Sequence, residues 1–322
     1  MNTPFDFGAA ITQPFQTSGG AEFGRRLWFW TAVPMVITLL IALPFIAPAY
    51  GQYLIWLTDY MAMIMGGGLP DGDTFSTLKP VLKSIWPSYL LLTIGMWATW
   101  IMGEAALHRK TLLGTEYSGR PIALGGDEFK VFLAQLGVFG IFMAITFLGS
   151  IAMGFITVAM GAISSALAAI FVLIGTLVML GAIIYYPMRL LPAAGLSVLK
   201  GEPRLRSALA VSKGKFWPIF GAYLVVMLGG SIVMNIIMSL GMMAVLGEGA
   251  STAMSGMGDS ADVTAMIEGA AQRLKNPLVI LAAVLSITAY AAIAALFYLC
   301  ISGIGSYVVK WHQGNDPAAP FS

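Results

Sequence analysis

Asp, Glu, Lys and Arg are absent from five long stretches of this chain: Leu27 to Thr58, Ser84 to Gly103, Val131 to Met188, Phe216 to Gly247 and Asn276 to Val309. Each can cross a bilayer as a helix, which takes roughly 20 apolar residues, and each far exceeds the usual soluble helix of about 11 or 12. A chain surrounded by water could not bury so many such runs. A β-barrel is excluded as well, because its strands alternate polar and apolar residues, whereas these runs are apolar throughout. Composition agrees, with 58% hydrophobic and 10% charged residues against about 25% charged in an ordinary soluble domain. The expected fold class is an all-α polytopic transmembrane helix bundle of about six spans with short interfacial helices.

Length sets the number of spans. As one helix, the run from Val131 to Met188 would be about 87 Å long, nearly three times the hydrocarbon core of about 30 Å. It must fold back, and the best turn is Met160 to Ser165, where Gly161 permits unusual backbone angles and Ser164 and Ser165 can cap a new helix. The spans then fall near 27–50, 84–107, 131–158, 165–187, 216–245 and 277–303. They leave a cytoplasmic N-terminal segment (1–26), a six-span membrane domain (27–309) and a cytoplasmic C-terminal tail (310–322). With the N-terminus inside, 13 of the 17 basic residues lie on cytoplasmic segments and only Lys79, Lys83, Arg273 and Lys275 outside, as the positive-inside rule expects. Were 131–188 a single span, the split would be 8 against 9. Ala47-Pro48-Ala49 has the look of a signal cleavage site, but the preceding apolar run is longer than a signal h-region, so an uncleaved first span is expected.

Several connections read as helices. The segment through Trp56, Asp59 and Met61 predicts a short helix on the outer surface before a turn at Gly66 to Gly68. Ser260 to Lys275 predicts another, with Val263, Met266, Ile267 and Leu274 on one face. The apolar stretch after Pro187 is expected along the inner interface. Between Lys200 and Phe216, Pro203 can start a helix whose apolar stripe is Leu205, Ala208, Leu209, Val211 and Phe216. The rest of its surface carries Arg204, Arg206, Lys213 and Lys215, an arrangement suited to anionic phospholipid headgroups on the cytoplasmic leaflet.

Residues 207 to 223, Ser-Ala-Leu-Ala-Val-Ser-Lys-Gly-Lys-Phe-Trp-Pro-Ile-Phe-Gly-Ala-Tyr, resemble the S-x-x-x-[LV]-[ST]-K-G-x-F-W-x-I-F pattern of a broad bacterial group of six-span proteins. Relatives in that group are known as the membrane domain of glycerophosphoryl diester phosphodiesterase. Leu124 to Lys130, with Asp127 and Glu128, resembles the same group's approach to the third span. The resemblance implies a multi-pass protein of the bacterial cytoplasmic (inner) membrane. It implies no catalysis here, because the group's phosphodiesterase chemistry belongs to a separate soluble domain, and the longest segment between these spans, about 30 residues, is too short for one.

Candidate chemistry is sparse. Cys300 is the only cysteine, and neither His108 nor His312 has a ligand partner at convincing spacing, so no cofactor or metal is expected. A net charge of +2 without a dense basic tract excludes nucleic acid as a partner. Glu104 and His108, four residues apart, share a helix face and can form a polar cluster with Arg109 or Arg189. Ser231, Asn235 and Ser239 make a polar stripe on the fifth span, suited to a hydrophilic pathway or to hydrogen bonds between helices. Ser150 and Gly154 make a small-xxx-small packing pair. Two functions follow. One is a non-enzymatic membrane protein that supports membrane organisation or a complex with other membrane proteins, its basic helix on anionic lipid. The other is a small-solute or lipid transporter with a pathway near Asn235.

Overall fold

The computed structural model describes residues 4–65, 72–116, 121–247 and 260–315, and among these it contains helices and turns but no strand. In chain order the helices are α1 (Phe7–Gln16), α2 (Gly20–Met65), α3 (Gly72–His108, continued by a π-helical turn Arg109–Leu113), α4 (Gly126–Gly161), α5 (Ser165–Leu190), α6 (Ala193–Lys200), α7 (Leu205–Val211), α8 (Phe216–Leu246), α9 (Ser260–Arg273) and α10 (Pro277–Asn315). Six of them, α2, α3, α4, α5, α8 and α10, contain segments long and apolar enough to cross a membrane. The fold is an all-α polytopic helix bundle.

The predicted reversal of the long uncharged run is where length required it. α4 ends at Gly161 and α5 begins at Ser165, with Ser164 in extended conformation at the N-cap. The Ser164 side chain makes no capping hydrogen bond; its backbone N–H bonds Met160 O at 2.8 Å instead. The two arms meet through small residues. A Cβ on Gly175 would lie 1.9 Å from Met153 Sδ, and one on Gly149 would lie 3.0 Å from Met179 Sδ. This seam replaces the expected Ser150 and Gly154 pair, since Gly154 has open space where a Cβ would stand.

Contacts divide the chain into two units, one of residues 1–27, 101–227 and 298–322, the other of 28–100 and 228–297. In the second, the Trp28 indole N–H donates to Ala292 O at 2.7 Å, joining α2 to α10. Gly230 gives way to the Phe297 ring, and Gly51 sits against Ile267 of α9. The first unit takes in α1, α4, α5, α6 and α7 entire, and it holds 13 of the 17 basic residues with 8 of the 15 acidic ones.

Three connections differ from expectation. The segment through Trp56, Asp59 and Met61 is no separate interfacial helix: α2 runs unbroken from Gly20 to Met65, because nothing between the span and this segment stops a helix. The turn expected at Gly66 to Gly68 lies outside the described residues, as does the side chain of Val263. The stretch after Pro187 is enclosed by the protein rather than laid on its surface. Helix α5 stops before Pro192, and every residue from Ala193 to Val198 of α6 is buried. Finally, 200–216 is not one basic helix. Gly201, at φ +81°, ends α6; α7 covers only Leu205–Val211, and Ser212 ends it. Arg204 therefore precedes the helix, Lys213 and Lys215 follow it, and Phe216 already belongs to α8.

Candidate functional site

The first unit contains a buried polar network at the last turn of α3. His108 and Ser306 are fully buried and Glu104 is 2% exposed. His108 Nε2 lies 3.3 Å from Glu104 Oε1 and its Nδ1 lies 2.6 Å from Ser306 Oγ of α10. Gln135 of α4 donates its amide to the second Glu104 oxygen at 2.7 Å. A buried carboxylate is tolerated only when hydrogen-bonded, and both of its oxygens are engaged. Helix α6 closes on the ring because it has glycine there: a Cβ on Gly195 would stand 3.2 Å from His108 Nδ1. Gly305 of α10 lets Leu191 O come so near that a Cβ would stand 2.7 Å from it.

Beside this network a second one fastens the π-helical turn to α4. Arg109 Nη1 donates to Glu128 Oε1 at 2.9 Å and to Asp127 Oδ2 at 3.4 Å, and Lys130 Nζ donates to Asp127 Oδ1 at 2.9 Å. Arg109 and Glu128 are both buried. The sequence places Glu104 beside His108 through their spacing of four, but Gln135, Ser306 and the Arg109 to Glu128 pair were not expected. A hint existed: Gln135 is the only side-chain amide in the run from Val131 to Met188, and a lone amide in hydrocarbon needs a partner.

Ser306, His108 and Glu104 stand in the order of a nucleophile, a base and its orienting acid. Catalysis also needs a path for substrate, and the Ser306 hydroxyl is fully buried. The arrangement ties α3, α4 and α10 together. Arg189 is not part of it. Its Nε donates to Ser212 Oγ at 3.2 Å, its Nη1 to Tyr185 OH at 3.0 Å and its Nη2 to Leu209 O, so it joins α5 to α7. A span-end arginine finds the nearest uncapped carbonyl, and Leu209 in the last turn of α7 offers one.

The four expected lipid-contacting cations separate into two kinds. Arg204 pairs with Glu202, and Lys215 Nζ sits 4.3 Å over the Trp311 ring and 3.3 Å from His312 Nδ1. Arg206 and Lys213 are exposed, and neither has an ion pair or hydrogen bond among the described residues. Arg204 and Arg206, with Pro203, Leu205, Leu209 and Ala210, line an open cavity of about 830 Å³. Next to this region Tyr185, Phe216, Trp217 and Phe220 form an aromatic cluster, with Phe216 5.1 Å from Tyr185 and stacked 5.5 Å from Phe220.

The stripe on α8 does not converge on a site. Asn235 is exposed and donates its amide to Ser231 O of its own helix at 2.8 Å; Ser239 is exposed and Ser231 half-buried. Among the described residues no group of three or more His, Cys, Asp or Glu is placed to hold a metal. No protein-family model, curated protein or solved structure matches the chain.

Proposed function

We propose that the protein is a non-enzymatic multi-pass component of the bacterial cytoplasmic membrane that supports membrane organisation or a complex with other membrane proteins, its basic end resting on anionic phospholipid headgroups. The observation that carries this reading is the basic rim of the first unit, where exposed Arg206 and Lys213 have no ion pair among the described residues, beside a cavity that Arg204 and Arg206 line together with Glu202, the partner of Arg204. Each such cation gains on the order of 1 kcal/mol from an anionic leaflet. The aromatic cluster of Tyr185, Phe216 and Trp217 supports the same placement, since tyrosine and tryptophan collect at headgroup level. The resemblance of residues 207–223 to bacterial six-span membrane domains supports the bacterial assignment.

Reconstitution into nanodiscs of mixed zwitterionic and anionic phospholipid, followed by extraction of the lipid retained in detergent, tests the proposal. Anionic lipid should be enriched several-fold over the bulk mixture, and the triple variant Arg204→Gln, Arg206→Gln, Lys213→Gln should lose the enrichment. Retained lipid of bulk composition around the wild-type protein would overturn it.

A further inference from the structure

We infer that the outward face of α7 is a binding site for a lipid headgroup that carries two phosphates, one held by Arg206 and the other by Lys213. The inference rests on the anionic-lipid reading above and makes it specific. Helix α7 and the turn that follows sort their residues cleanly: Ser207, Ala208, Val211 and Ser212 are buried, while Arg206, Ala210 and Lys213 are exposed. Arg206 stands in the first turn of α7 and Lys213 in the turn just past its end, and the burial pattern leaves both, with Ala210, on the exposed side. Ala210 is exposed between them in sequence, and it lines, with Arg204, Arg206 and the Glu202 that Arg204 pairs with, the cavity of about 830 Å³.

The surrounding cations do not compete for the ligand. Arg189 is spent on Tyr185, Ser212 and Leu209, Arg204 on Glu202, and Lys215 on Trp311 and His312. The turn carrying Lys213 is fixed, because Ser212 Oγ donates to Arg189 O at 2.7 Å and Ala208 O at 2.8 Å. Height matches a lipid rather than a soluble anion: Trp217, 74% exposed, follows four residues after Lys213 and marks the headgroup level. A single phosphate could satisfy both cations only if two long side chains bent toward each other over Ala210, which costs rotamer freedom. Two phosphates joined by a short polyol bridge let each cation keep its own partner while the bridge lies over Ala210.

The test is native mass spectrometry of the full chain released from nanodiscs that contain phosphatidylethanolamine, phosphatidylglycerol and cardiolipin, the last two at equal phosphate content. Wild type should retain cardiolipin several-fold over phosphatidylglycerol. Arg206→Gln and Lys213→Gln, both at exposed positions, should each abolish that preference while phosphatidylglycerol stays enriched over phosphatidylethanolamine. Equal retention of the two anionic lipids by wild type, or a preference that survives both substitutions, overturns the two-phosphate site and leaves the anionic-lipid reading standing. Absence of enrichment of either anionic lipid over phosphatidylethanolamine overturns both.

Discussion

Arg109 shares one nitrogen between Glu128 at 2.9 Å and Asp127 at 3.4 Å, and both Arg109 and Glu128 are removed from solvent. Burying two ions costs several kcal/mol each, and their attraction offsets this only while both are present. Losing one partner should therefore be worse than losing both. Arg109→Ala is expected to destabilise by about 3–5 kcal/mol by leaving a buried carboxylate uncompensated, and adding Glu128→Gln should recover a large part of that loss. Thermal unfolding of the single and double variants in one detergent measures it; a double variant less stable than Arg109→Ala contradicts the argument. The same scale shows where sequence reasoning reaches. Glu104 and His108 are legible as neighbours because four residues is one helical turn. Ser306 is not, because 198 residues of chain separate it from the ring it touches. Arg189 carries the same charge as Arg109 at a similar span end, and nothing in its local sequence tells which carbonyl or carboxylate it will meet.

Among the elements, close approach rather than polarity decides how tightly the first unit is built. Helix α6 lies against His108 at Gly195, and α10 meets the Leu191 carbonyl at Gly305. A methyl group on Gly305 would stand 2.7 Å from backbone oxygen, which cannot swing aside as a side chain can. Gly305→Ala should thus lower stability by about 1–3 kcal/mol through overpacking, whereas Gly154→Ala, with open space at its Cβ, should be neutral or gain up to about 1 kcal/mol of helix propensity. Denaturant titration of the two variants separates them, and equal effects would refute the packing account. The hairpin of α4 and α5 was readable because helical rise and bilayer thickness leave no other solution. The burial of α6 was not, since an apolar stretch of small residues reads alike whether it lies on an interface or inside a bundle. Likewise, residues 200–216 carry the stripe of one helix, but Gly201 in the left-handed region closes α6, and Ser212, whose hydroxyl donates to Arg189 O, closes α7.

For the whole molecule, the number of crossings fixes which connections share a side of the membrane. The turn between Gly161 and Ser165 divides the long uncharged run into two helices, and α5, 26 residues long, extends about 39 Å at 1.5 Å per residue, enough for one crossing of a core of about 30 Å. From Lys83, near the start of one candidate span, to Lys213 the chain passes three candidate spans, an odd number, so these two residues are expected to face opposite compartments. If 131–188 crossed once, two spans would lie between them and both would face the same one. The hairpin tip adds a third reference point: Ile163, 70% exposed, lies two spans after Lys83 and one span before Lys213, and should share the compartment of Lys83. Single cysteines at Lys83, Ile163 and Lys213, each placed in a Cys300→Ala background, should react with a membrane-impermeant maleimide on spheroplasts at Lys83 and Ile163 and only after permeabilisation at Lys213. Labelling of Lys213→Cys together with Lys83→Cys on intact spheroplasts would show that the run crosses once, and would remove the charge asymmetry on which the proposed placement of the basic rim at the inner leaflet rests.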